Sequence, residues 1–437
     1  MAIAFAARAV PAWFAAAGTL VVVAPCGDSA SGYPVAAARR GWQSVAVALA
    51  PTLRPPPGQD MVTAAYTTTV EHNGSLRRTV KQLRALGAVT AVVAGSAPGI
   101  DLAERIAWHL GLPGPDPAAS VLRHDRGAQA AALLTAGIPA PRSVRTTSLA
   151  AALEWVRTCG LRSYVLGPAA AGVPVQPVVC SSGLEISAAW PDLREAARHH
   201  SGSAHLVLTE YLPGRQYVVN SVTRHGDDGG PDHIITDVWA ETRTRGGLPD
   251  RSDLMNRQHL LSRALSLYVL RTLDVLGVAC GPVSSRLVYD NRRGPLLLSA
   301  LALPAATIAD AAAQAATGRD RFGEALDAAS PPQPPPARPA GNRHRVVRVH
   351  LRPRDKGGID PGMLRELPTV VRISSSLQRP AKGATGGEVV LSAAQATAVE
   401  ADYRVIRALE HEGLHQDSRR EPADARCPQR IPGGGER

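Results

Sequence analysis

The chain predicts a mixed fold, α/β plus α+β, built from three successive parts, and three observations carry that expectation. Over residues 20–115, short apolar runs alternate with helical patterns, as in a doubly wound α/β domain. Between 163 and 300 the apolar runs come in close pairs split by polar turns, as in antiparallel hairpins. A Pro-rich linker at 331–342 then separates a last group of short strands and one helix.

The elements follow in order. Residues 1–19 read as an N-terminal extension: Arg8 and Pro11 break the apolar stretch, and no basic start precedes it. Leu20–Ala24 is an all-apolar strand, a helix runs through Ala36–Arg40, and Gln43–Leu49 is a second strand of parallel-sheet character. A helix at 75–86, a strand at Ala88–Ala94 and a helix opened by Asp101 and closed by Gly111 complete the domain 20–115. The loop after the first strand lacks GxGxxG, so no dinucleotide site is expected.

A domain at 116–330 follows. It opens with a helical segment at 118–136, and strands are expected at 163–166, 175–180, 205–212, 216–224 and 233–240. Helices are expected near 184–199 and 257–276. The stretch GPVSSRLVYDNRRGPLLLSA, 281–300, is a hairpin with its turn around Asp290. A C-terminal lobe at 343–411 holds the strands RVVRVHL, VVRIS and EVVLSA and a helix at 394–411. A polar, Gly-containing tail at 412–437 is read as disordered.

Composition narrows the function. The formal net charge is +11, yet Lys occurs only as Lys81, Lys356 and Lys382, so nearly all positive charge is Arg. The Arg residues are scattered, without a basic stripe or interleaved aromatics, which argues against nucleic acid. No run is long enough to span a bilayer. The five cysteines form no CxxC pair, which argues against zinc and disulfide frameworks and suits a cytoplasmic protein. His124, His205, His225 and His233 do not form a metal spacing. Ser284-Ser285 lacks the elbow of a serine hydrolase.

Four stretches carry a resemblance: AVVAGSAPGIDLAERIAWHLGLPGPDP (91–117), SVLRHDRGAQAAALLTAGIPAPRS (120–143), LVLTEYLPGRQYVVNSVTRHG (206–226) and the segment 268–303. LRELPTVVRI (364–373) and ADYRVIRALE (401–410) extend it. In this order and spacing the chain resembles the ATP-grasp carboxylate–amine ligases, the superfamily of L-amino acid ligases and biotin carboxylase. The resemblance implies an N-terminal doubly wound domain, a two-lobed nucleotide domain and a small C-terminal lobe. It implies ATP as cofactor, with adenine at the backbone of Glu210, Tyr211 and Leu212. It implies phosphoryl transfer to a carboxylate, then attack by an amine.

That chemistry needs lysines and Mg2+ to offset the phosphates. At the implied positions, Arg126 replaces the first Lys, Gly167 the second, and Arg286 and Ser299 the two hairpin carboxylates. Leu301 and Leu303 stand where the family has Asn and Arg. No Lys lies between 82 and 355. Arg286 would repel Mg2+, since even two like unit charges at 4 Å cost about 4 kcal/mol at an effective dielectric of 20, although it suits direct contact with a phosphate or carboxylate. Mg2+ is therefore not expected. Pro25, Ser31 and Gly32 match the family's first loop, and Ala169–Gly172 the place of a mobile phosphate-covering loop.

Three readings stay open. One is a catalytically degenerate ATP-grasp protein that binds a small carboxylate or amino acid, or pairs with an active ligase or a second copy of itself. Another is a working ligase whose Mg2+ is held by Glu241 or Asp237. The third is a nucleic-acid binder relying on net charge, which would show steep salt dependence.

Overall fold

The protein is described by a computed structural model covering residues 18–25, 27–49, 65–173, 175–226, 229–244, 248–305, 307–331, 341, 343–352, 360–374 and 387–419. The expected extension up to residue 17, nearly all of the linker at 331–342, and tail residues 420–437 lie outside the described residues.

The first part is a four-stranded parallel sheet in the order β3-β2-β1-β4, made of β1 (Gly18–Val23), β2 (Trp42–Ala48), β3 (Thr68–Glu71) and β4 (Val89–Ala94). Its strands β1 and β4 are mostly apolar runs because helices cover both faces. Helix α1 (Gly27–Ala38) packs on Leu20, Val22 and Ala91 through Tyr33 and Ala37. Helices α2 (Leu76–Ala85) and α3 (Ile100–Leu110) bury Leu83 and Ile106 against Val21 and Val23. Each fully buried Val or Leu contributes roughly 1.5–3 kcal/mol. Gly111 ends α3 at φ +69°, a left-handed cap that glycine adopts without strain. Ser31 and Gly32, expected in a loop, lie inside α1. A Cβ on Gly32 would come within 2.4 Å of the Phe322 ring, so this glycine serves close packing.

The second sheet is antiparallel, in the order β5-β8-β6-β7: β5 (Ser143–Thr146), β6 (Tyr164–Pro168), β7 (Val178–Cys180) and β8 (Leu206–Glu210). Helices α5 (Leu149–Cys159) and α6 (Gly183–Ser201) close its core around Trp190 and Leu166. Before them, a 3-10 turn at Pro117–Arg123 leads into α4 (Arg126–Thr135), so the helical segment expected at 118–136 is broken at His124–Asp125.

The third sheet has eight strands in the order β13-β12-β9-β10-β11-β14-β16-β15. The long hairpin partners are β9 (Gln216–His225), β10 (Pro231–Arg243), β11 (Pro249–Leu254), β12 (Gly281–Asp290) and β13 (Gly294–Leu301). The C-terminal strands β14 (Arg345–His350), β15 (Val370–Ile373) and β16 (Glu388–Ala393) join the same sheet through β11. The lobe expected at 343–411 thus continues this sheet. On one face, α4 and α7 (Leu260–Val275) bury Leu133, Leu265 and Val269 against Tyr217, Val219 and Leu287. On the other, the N-terminus of α8 (Asp310–Thr317) packs on Val218 and Trp239. Helix α9 (Arg321–Ala328) bridges from this face to α1 and the first sheet, Phe322 meeting Tyr33 edge-on at 5.1 Å. Short α10 (Pro361–Arg365) and α11 (Ala396–Arg419) cover the C-terminal strands through Leu364, Val399 and Ile406. Helix α11 runs beyond the boundary expected at 411.

Candidate functional site

Period-two alternation places Gln216 of β9, Asp237, Glu241 and Arg243 of β10, and Arg286 of β12 on the face opposite the α4–α7 core. There Arg286 Nη1 donates to Glu241 Oε2 at 2.6 Å and to Gln216 Oε1 at 3.2 Å. Arg243 Nη2 donates to the same Gln216 oxygen at 3.2 Å. Arg286 is 40 % exposed, so its head reaches solvent, while Glu241 is 12 % exposed. Ser299 stands directly opposite Arg286 in the β12–β13 register, so the two hairpin positions do come together. They hold a cation and a hydroxyl.

Arg126 opens α4 beside this group. Asp125 caps the helix, Oδ1 accepting from Ala128 N at 2.9 Å, and its Oδ2 accepts from Arg145 Nε at 2.9 Å. Both carboxylate oxygens are therefore used. Gln129, one turn on, locks α4 to β13: its amide donates to Ala300 O at 2.7 Å and accepts from Ala300 N at 2.9 Å. This docking sets Arg126 near the Arg286–Ser299 pair. Arg126 Nε is fully enclosed and, among the described residues, has no hydrogen-bond partner. Burial, then the Arg286 charge, hold its guanidinium well below the ordinary value, at about 10, against the pull of Asp125. Burial and Arg286 likewise lower Arg243, against Glu241.

Asp237, the other acid expected as a replacement metal ligand, is 3 % exposed. Its Oδ1 accepts from Asn220 Nδ2 at 2.5 Å and Trp239 Nε1 at 2.6 Å; its Oδ2 accepts from Thr236 Oγ1 at 2.9 Å and Arg321 Nη2 at 3.1 Å. Four donors saturate it. Arg321 also pairs with Asp310 at 3.2 Å, whose carboxyl burial pushes up. This network anchors α9 to the sheet.

Gly167 of β6 is closely covered: a Cβ there would lie 3.1 Å from Pro177 Cβ, which would have to give by a few tenths of an ångström. The following loop, expected to be mobile, is fastened. Arg126 N donates to Ala169 O at 2.8 Å, Ala169 N to His205 O at 3.0 Å, and Ala171 N to His124 O at 2.6 Å. Ala169 and Ala171 are buried, and Gly172, at φ +78°, sits so close that a Cβ would be 2.7 Å from Ala97 Cβ and 3.2 Å from Leu301 Cδ2. Leu301 and the loop form one apolar contact.

At the expected adenine edge, Glu210 N donates to Arg142 O at 2.9 Å and Tyr211 N to Ser163 O at 3.0 Å. Leu212 N has no acceptor among the described residues. The Glu210 carboxylate is buried and doubly held: Oε1 accepts from Arg142 N at 2.8 Å and Arg293 Nη1 at 2.6 Å. Arg293 comes from the β12–β13 turn, so this pair ties the second sheet to the third.

Three sheets in this order and with these crossings match solved structures along nearly the whole chain. The L-amino acid ligase from Bacillus licheniformis aligns with TM-score 0.68 and 14% identity, over 90% of this chain and 97% of that one. The N5-carboxyaminoimidazole synthase from Aspergillus clavatus, in complex with ADP and its ribonucleotide, aligns with TM-score 0.67 and 14% identity, over 90% and 99%. The biotin carboxylase domain of Hydrogenobacter thermophilus 2-oxoglutarate carboxylase, a dimer with Mg-ADP, aligns with TM-score 0.59 and 14% identity, over 86% of each chain. This chain has the ATP-grasp fold. No model of a protein family matches it, and no curated protein sequence does.

Within the ATP-grasp fold, the residues present do not fit Mg2+, a hard cation that requires oxygen ligands. Arg286 and Ser299 face each other at the hairpin, Glu241 is engaged by Arg286, and Asp237 has no lone pair to spare. Among the described residues no group of three or more His, Cys, Asp or Glu is placed to hold a metal, and no helix is long and apolar enough to cross a membrane. Gln216, Arg243, Arg142 and Arg293 were not singled out from sequence. The signal for Arg243 was the two-residue step from Glu241 on one strand; the other three have no local signal.

Proposed function

We propose that this ATP-grasp chain binds a small anionic ligand without performing Mg2+-dependent acyl-phosphate chemistry, and acts in the cytoplasm as a binding or partner subunit. The Arg286–Glu241 ion pair carries the reading. It puts a fixed cation where the resemblance implies a metal carboxylate, and it engages the acid best placed to replace that carboxylate. Gly167 under Pro177 and the fastened loop at Ala169–Gly172 support it, because neither leaves a Lys or a moving lid for the phosphates. ATP remains the nucleotide to test: neighbouring structures hold ADP or ATP, and Leu212 N has no acceptor among the described residues. A small carboxylate or amino acid is the second ligand class, and a second copy or an active ligase the protein partner.

The experiment is an ADP-release assay on the full chain with ATP, Mg2+ and a panel of amino acids as both carboxylate and amine. The reading requires turnover indistinguishable from background. Robust, Mg2+-dependent and amino-acid-dependent turnover would sink it, and would return Glu241 to the role of metal ligand.

A further inference from the structure

The region around Arg126 is short of negative charge in a way the fold does not require. Arg126 stands at the first position of α4, the helix end at which a cation is unfavourable. Its Nε is enclosed without an acceptor, and the carboxylate beside it, Asp125, is consumed by the helix cap and Arg145. Arg286 is the like charge that bears most on it. Arg286 in turn shares Glu241 and the Gln216 oxygen, at which Arg243 also ends. An enclosed Nε with no acceptor among the described residues is costly to keep. An oxyanion between Arg126 and Arg286 would supply the missing acceptor and separate the like charges.

We propose that Arg126 and Arg286 form a metal-independent site for a phosphoryl group, in which the tethered Arg286 guanidinium takes the place of a divalent cation. The inference deepens the proposed function and rests on its reading of a cleft without Mg2+. Phosphate is favoured over carboxylate by shape. Its oxygens point in three dimensions and accept donors arriving from two separate elements, α4 and β12, whereas a carboxylate presents two oxygens in one plane. Guanidinium also suits phosphate better than an ammonium does, through paired N–H donors.

Calorimetry on the full chain in EDTA tests it, with inorganic phosphate, ADP, adenosine and acetate as titrants. Phosphate and ADP are expected to bind without metal, and adenosine and acetate much more weakly. Tighter binding of ADP than of phosphate supports a nucleotide as the source of the group; equal binding supports the free anion. Arg126→Gln and Arg286→Gln are each expected to weaken binding at least tenfold, with circular dichroism unchanged. Arg286 is partly exposed, so that variant keeps the test decisive should Arg126→Gln unfold. Absence of phosphate and ADP binding in EDTA overturns the site, as does binding unmoved by Arg286→Gln or matched by acetate. Mg2+-dependent turnover in the ADP-release assay would instead remove the proposed function, whatever the result in EDTA.

Discussion

Replacing Arg123 with Leu would test what holds α3 of the first sheet's layer to the chain that follows it. Arg123 is 1 % exposed and makes two parallel hydrogen bonds to Glu104 of α3, Nε to Oε1 and Nη2 to Oε2, both at 2.7 Å. It also donates to three carbonyls, of Asp116 at 2.5 Å, Gly277 at 3.2 Å and Leu276 at 3.4 Å. The substitution leaves a buried carboxylate without its partner. Breaking such a pair costs about 3–5 kcal/mol, and the orphaned carbonyls push the loss toward the upper end. Removing both charges, as Glu104→Leu with Arg123→Leu, should cost less than Arg123→Leu alone, because no uncompensated ion remains. Urea unfolding followed by circular dichroism measures this, read at the first transition because several cores need not melt together. A loss below 1 kcal/mol for Arg123→Leu, or a double variant weaker than the single one, would refute the reasoning.

Other outcomes follow from the same geometry. Gly172→Val combines a left-handed backbone with a Cβ 2.7 Å from Ala97, so it should destabilise by about 1–3 kcal/mol and expose the Ala169–Gly172 loop to limited proteolysis. Gly167→Lys should not bring Mg2+-dependent ATP turnover, because Pro177 crowds the new side chain and the hairpin carboxylates stay absent; turnover in the ADP-release assay would contradict the account. Burial, then Glu104, push the Cys280 thiol up to about 12. A raised folded-state value contributes stability that is present below the ordinary thiol range and lost as pH climbs through about 12. Iodoacetamide at pH 8.5 should therefore leave Cys280 unmodified in the folded chain and label it in urea.

The parallel sheet was legible because strands covered on both faces become unbroken apolar runs, as in GTLVVV of β1, which is buried throughout. The β12–β13 hairpin was legible from its turn. Strand β11, PDRSDL, was not. Its buried Asp253 is held by Arg251, Arg345 and Arg215, and its buried Ser252 meets His350, partners that no local pattern announces. The short polar strands β3 and β5 failed for lack of periodicity. Gly and Pro made PCGDSASG, 25–32, look like a loop, yet Tyr33 and Gly32 pack on Phe322 and the helix runs on through Pro34. At the site, the run without Lys between 82 and 355 and the cation at Arg286 could be read directly. Their consequence could not: Arg286 and Glu241 lie 45 residues apart, and only strand register joins them.

The shared third sheet has a consequence for how the chain comes to be folded. Strand β14 pairs with β11 across a long stretch of chain, Ser252 and Arg348 being 96 residues apart. Until that late, non-local pairing closes, β11 presents an open edge to whatever strand reaches it first. A ribosome releasing this protein thus exposes an incomplete sheet until the last strands are made. At high concentration the C-terminal strands of one copy can complete the sheet of another, so the ratio of exchanged dimer to monomer should record how slowly the chain was allowed to finish.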